Sequence, residues 1–175
     1  FILDTSRFKY FLSQELNIPI KKIESLVLGG HGDTMVSMLN HTTVDGKPVL
    51  DLVKEGKLEK NLLENIIKRT QGGGAEIVKL LEKGSAFYAP AASGVEMAES
   101  YLKDLKKQLP CAAYLDHKYG VENLYVGVPV IIGEKGVEKI IELKLSNEEE
   151  KNFKNSIIAV QDLFNAAKKI DPTLN

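Results

Sequence analysis

Apolar positions along the chain change period several times, and each change marks an element. Phe8, Phe11, Leu12 and Leu16 recur at three- and four-residue spacing, which predicts one face of a helix. Asp4, Thr5 and Ser6 stand before this stripe as N-cap candidates, so residues 1–3 read as the tail of a buried strand or loop. Pro19 closes the helix. Residues 25–28 and 35–40 are short apolar runs suited to strands, and Asp45-Gly46 is a hairpin signal. From Leu58 the helical period returns through Leu62, Leu63, Ile66, Ile67, Ile77, Val78 and Leu81. Gly72-Gly73-Gly74 interrupts it at a cost of roughly 3 kcal/mol against alanine. The apolar phase carries across the glycines, which favours one kinked helix over two separate ones.

Gly84-Ser85-Ala86 marks a break, and a second long helix is expected over residues 87–107, with Pro90 in its first turns. Three strands follow at 111–115, 124–132 and 137–145, separated by Lys118-Tyr119-Gly120 and Gly133-Glu134-Lys135-Gly136. Ser146 with Glu149 forms a capping box. It opens a closing helix with the stripe Phe153, Ile157, Val160, Phe164 and Ala167, which Asp171-Pro172 stops. Helix, hairpin, two helices, strand meander and helix describe an α+β domain: an antiparallel sheet packed with long helices, as a single unit over residues 1–175.

Composition narrows the function. Lys and Arg total 23 against 24 Asp and Glu, so no basic excess exists to attract nucleic acid or an anionic membrane. No apolar run approaches the ~20 residues of a membrane span. Cys111 stands alone, so no intramolecular disulfide can form, and a reducing, cytoplasmic setting is expected. The chain opens on Phe1-Ile2-Leu3 and reads as a piece of something longer.

The chemistry concentrates in two places. Gly29-Gly30-His31-Gly32-Asp33 surrounds a histidine with glycines, which lets backbone or ligand approach the imidazole. Histidine can both take and give a proton near neutrality. Asp4 and Arg7 lie three residues apart at a helix start, on one face. An Asp can orient a histidine, and an Arg fork grips a carboxylate through two parallel hydrogen bonds. Together they would form a site for an anionic substrate that exchanges a proton at oxygen. Taken singly, each has a plainer reading: a turn with a surface histidine, and an N-cap with a solvated arginine. That plainer reading is kept for His41 and His117.

Residues 2–8 (Ile2-Leu3-Asp4-Thr5-Ser6-Arg7-Phe8) and Gly30-His31-Gly32-Asp33 resemble the two signature stretches of the lactate/malate dehydrogenase family. Gly73-Gly74-Ala75-Glu76-Ile77-Val78, residues 84–93 and Tyr125-Val126-Gly127-Val128-Pro129 extend the resemblance, in order, along the whole chain. It is closest to the bacterial, lactate-dehydrogenase-like malate dehydrogenases, in their C-terminal, substrate-binding half. The resemblance implies that His31 is the acid/base, that Asp4 orients it, and that Arg7 binds a substrate carboxylate. Ala86 would line the substrate pocket, and Pro90 is the candidate cofactor contact. No G-x-G-x-x-G fingerprint is present, so the rest of the NAD site is expected in an N-terminal Rossmann domain outside this chain. The mobile loop that reads the second carboxylate is expected there too.

The implied reaction is reversible NAD-dependent oxidation of malate to oxaloacetate in the tricarboxylic acid cycle, with no metal. The protein would be a homodimer or homotetramer, with the first helix at a subunit contact. Lactate dehydrogenase and a non-catalytic domain are the alternatives. An NAD-dependent glycosidase is a third, against which Cys111 lacks a histidine partner at motif spacing.

Overall fold

The computed structural model describes residues 1–174. Helix α1 spans Ile2–Leu16 and so begins before the expected caps. Asp4 and Thr5 lie inside its first turns, both buried, and neither caps it. Tertiary partners have taken their side chains: Thr5 Oγ1 accepts the Val27 N–H at 3.0 Å, while Asp4 turns toward the histidine loop. The helix ends at Asn17, before Pro19 is reached. Asn17 is left-handed (φ 51°), and Asn17 and Ile18 return their N–H groups to Gln14 and Ser13.

A set of two-residue strands follows: β1 Ile23–Glu24, β2 Val27–Leu28, β3 Val36–Ser37, β4 Thr43–Val44 and β5 Lys47–Pro48. β2 pairs antiparallel with β3, and β1-β4-β5 form a second small sheet. The expected strand over 35–40 is therefore shortened, because Leu39–His41 turns as a 3-10 helix. The β4–β5 turn places Asp45 and Gly46 at φ 50° and 78°, as a tight hairpin of this twist requires. Helix α2, Val49–Lys54, was not foreseen; six residues with Val49 and Leu52 buried are too few for a period to stand out.

Helix α3 runs unbroken from Lys60 to Leu81, through all three glycines. Helix α4 spans Tyr88–Leu102, ending earlier than expected, and β6 already begins at Lys107. β6 (Lys107–Lys118), β7 (Val121–Gly133) and β8 (Gly136–Ile140) form the antiparallel meander in that order. The first two strands outrun their apolar stretches because flanking polar residues such as Gln108 and Glu122 also pair. The third is shorter than expected, stopping at Ile140. In β6 buried Cys111, Ala113 and Leu115 alternate with exposed Ala112, Tyr114 and Asp116. Residues 126–130 of β7 are buried without alternation because β2, α4 and α5 all pack on that strand.

Helix α5, Asn147–Ile170, carries the expected capping box in full: Ser146 Oγ accepts from Glu149 N, and the Glu149 carboxylate accepts from Ser146 N. Phe153 is buried, and Ile157, Val160 and Phe164 pack on the sheet. Two apolar clusters result, one under the meander and α5, the other between α1, α2, α3 and the small strands. Helix α1 joins them. Ile2 belongs to the first, Phe8, Phe11 and Leu12 to the second, and Asp4 sits at the seam between. Among the described residues, no helix is long and apolar enough to cross a membrane.

Glu149 also accepts the Asn40 N–H at 3.0 Å, which ties α5 to the small strands. Burial pushes this carboxyl upward, but the hydrogen bonds from Ser146 and Asn40 prevail and hold it below its usual value of 4.5. A lowered folded-state pKa adds stability above the unfolded value and loses it as pH falls through the folded one. The unfolding free energy of the wild type should therefore drop on acidification from about pH 5. Glu149→Gln should flatten that acid limb and cost about 1–3 kcal/mol at pH 7. Urea unfolding across pH checks both.

Candidate active site

The histidine loop leaves β2 at Leu28 and is pinned on two sides. Gly29, at φ 93°, exchanges backbone hydrogen bonds of 2.9 and 2.8 Å with Gly127 of β7. The buried Gly30 N–H donates to Ser156 Oγ on α5 at 2.7 Å. A Cβ at Gly30 would lie 2.6 Å from Thr34 Oγ1 and 2.8 Å from Val160 Cγ2, so only glycine lets the loop press this closely on α5. The loop is also tied to α3, since Gln71 Nε2 donates to the Met35 carbonyl at 3.1 Å. What the fixed backbone presents outward is the His31 ring, 62% exposed, edge-on to Phe1 at 6.4 Å.

Asp4 lies behind it with no exposure at all. Its Oδ2 is 2.9 Å from His31 Nδ1. In the neutral ring, Nδ1 donates to this carboxylate and Nε2 is left as a free acceptor. Asp4 Oδ1 has no hydrogen-bond partner among the described residues, and Arg7 Nη1 faces it at 3.5 Å. Arg7, one helical turn along α1, donates weakly from Nη1 to the Thr70 carbonyl of α3 at 3.4 Å. Its side chain is only 12% exposed.

Arg7 and His31 share one cavity of about 410 Å³. Ala86, from the connection between α3 and α4, and Pro90, in the first turn of α4, line it as well. Leu3, Ile77, Val78 and Phe87 make most of the remaining wall apolar. The cavity thus offers one fixed cation and one proton carrier in a surface of low polarity. That arrangement can orient an anion through two hydrogen bonds and exchange a proton at an adjacent oxygen.

A family model described as the lactate/malate dehydrogenase alpha/beta C-terminal domain matches residues 2–170. The chain belongs to this family. It is 65% identical over 174 residues to malate dehydrogenase of Pelagibacter ubique (strain HTCC1062), covering 99% of this chain and 54% of that protein. Among solved structures, malate dehydrogenase of Cryptosporidium parvum superposes with a TM-score of 0.92 at 44% identity, over 96% of this chain and 54% of that one. Lactate dehydrogenase of Eimeria maxima, solved with NADH and oxamate, gives 0.92 at 40%, over 98% and 53%. The chain spans about half the length of these relatives.

With the family known, the five residues singled out in the sequence fall in one place: Arg7, His31, Ala86 and Pro90 on the cavity wall, Asp4 directly behind. His41 and His117 lie elsewhere, His41 against the Lys144 carbonyl and His117 against Glu122. Cys111 is buried with Sγ against Met97 Sδ at 3.6 Å, and burial pushes its thiol pKa up, so it is a poor nucleophile. No metal-binding group of three His, Cys, Asp or Glu occurs among the described residues. Sequence reasoning missed Ser156. Its signal was a polar residue between Phe153 and Ile157 on an otherwise apolar helical stripe.

Proposed function

We propose that this chain is the substrate-side half of an NAD-dependent malate dehydrogenase, and that its cavity binds a 2-hydroxy or 2-oxo dicarboxylate beside His31. The observation that carries this reading is the Asp4–His31 contact of 2.9 Å with Arg7 in the same cavity. Arg7 holds the substrate carboxylate through its planar fork. In the oxidative direction His31 Nε2 takes the hydroxyl proton, and Asp4 stabilises the imidazolium that forms. In the reductive direction the same proton returns to the carbonyl oxygen.

The cavity fits only part of the cofactor. Pro90, Ala86 and Leu3 offer an apolar wall beside His31 that suits a flat ring, while Arg7 is the one cationic side chain lining it. When bound, NAD supplies the hydride acceptor. The remainder of its site, and the reader of the second carboxylate, belong to the other half of the protein. The Eimeria maxima enzyme solved with NADH supports the cofactor assignment. The 65% identity to a malate dehydrogenase, against 40% to that lactate dehydrogenase, favours malate. A cytoplasmic homodimer or homotetramer completes the reading. Phe8 is buried in the core, while Tyr10 on another face of α1 is 50% exposed and suits a subunit contact.

The full-length protein should reduce oxaloacetate with NADH at a far higher kcat/KM than pyruvate. Steady-state kinetics with both substrates decide this, and a preference for pyruvate moves the protein to the lactate branch.

Arg7→Lys keeps the charge but loses the fork. Losing one charge-assisted hydrogen bond costs roughly 1.5–3 kcal/mol, so kcat/KM for oxaloacetate should fall about 10- to 100-fold. NADH affinity should hold. A solvated arginine would change neither, and wild-type kinetics would remove Arg7 from the site.

A further inference from the structure

Three consecutive glycines inside a helix are not explained by the proposed reaction. Alanine is the better helix former at each position, yet α3 runs straight through Gly72, Gly73 and Gly74. Their surroundings differ. A side chain added at Gly72 or at Gly74 meets open space. At Gly73 a Cβ would fall 2.5 Å from Arg7 Nε and 2.9 Å from Cζ, and it would also overlap Cδ. Gly73 is buried, and what buries it is the arginine side chain lying across the helix backbone.

The guanidinium is thereby confined from three directions. Asp4 Oδ1 faces Nη1 at 3.5 Å, the Thr70 carbonyl accepts from Nη1 at 3.4 Å, and the bare backbone at Gly73 forms the floor. Two of these are polar contacts that a rotated guanidinium could exchange for water. The floor is steric and cannot be exchanged.

We propose that Gly73 is a positioning residue: its missing side chain is the saddle that fixes the direction in which Arg7 presents its fork to the cavity. The proposal rests on the reading of Arg7 as the carboxylate anchor. Sterics decide where the cost of filling the saddle falls. Arg7 is a long, flexible side chain, so it can swing away from an added methyl without moving the backbone of α1 or α3. The fold should therefore tolerate Gly73→Ala, and the gain in helix propensity offsets part of any loss. The grip on a carboxylate is directional and does not survive the swing. A displacement of about 1 Å in a positioning group can cost on the order of 10²-fold in rate.

The test uses the full-length protein. Gly73→Ala should lower kcat/KM for oxaloacetate roughly 10- to 100-fold, mainly through KM, with NADH affinity and Tm at or above the wild-type values. Gly72→Ala should keep wild-type kinetics. If Gly73 acts only through Arg7, then adding Gly73→Ala to an Arg7→Ala variant should cause no further loss. A crystal structure of Gly73→Ala should show the guanidinium displaced. Wild-type kcat/KM in Gly73→Ala overturns the proposal, as does a loss that adds in full to that of Arg7→Ala. A Tm lowered by more than a few degrees overturns it too, since the clash would then not be relieved by the side chain. Should the wild type turn over neither oxaloacetate nor pyruvate, the proposed reaction fails. The crystal structure still decides this inference separately, because an unmoved Arg7 overturns it.

Discussion

A carboxylate without solvent exposure is costly to bury, and Asp4 is such a group. It is tolerable only while cationic or donor partners stay in reach, and its two oxygens face different ones: His31 Nδ1 at 2.9 Å and Arg7 Nη1 at 3.5 Å. The second contact is not a hydrogen bond, so Oδ1 has no hydrogen-bond partner among the described residues. A well-packed apolar side chain in its place would commonly be as stable or more so. The fold keeps the charge 2.9 Å from a histidine, and under the proposed reaction that is the pattern expected when stability is traded for function.

That constraint reaches the surrounding architecture. Asp4 must stand at the seam between the two apolar clusters, so α1 contributes to both. Thr5, its neighbour, locks α1 to β2 through Val27 N. From β2 the chain enters the histidine loop, whose first glycine is stitched to β7 and whose second is held by Ser156 of α5. Helix α3 supplies the other wall and the resting place of Arg7. Elements distant in sequence therefore hold a proton carrier and a cation in one cavity.

Much of this is legible in the sequence, and the failures have identifiable causes. The capping box of α5, the Asp45-Gly46 hairpin, the unbroken α3 and the three-stranded meander follow from local rules, and local rules hold for them. The start of α1 was misread because Asp4 and Thr5 are good cap residues whose side chains the tertiary structure uses otherwise. The strand expected over 35–40 and the unforeseen α2 involve too few residues for a period to decide. In the site, Asp4, Arg7 and His31 each have an unremarkable reading alone. Only the resemblance of their motifs, in order, joins residues 27 positions apart into one constellation. Ser156 showed only as a polar residue on an apolar stripe, and neither its bond to Gly30 nor the contact of Gly73 with Arg7 is legible locally, since each joins residues more than 60 positions apart.

In the proposed reaction Asp4 acts through His31, and kinetics of Asp4→Asn in the full-length protein address that most directly. The amide keeps the size of the side chain and can still accept from Nδ1, but it removes the charge that stabilises the imidazolium. With the fold intact by circular dichroism, kcat/KM for oxaloacetate reduction should fall on the order of 10²-fold or more. A value within about twofold of the wild type, a difference near 0.4 kcal/mol, would contradict the claim that this buried carboxylate serves the histidine.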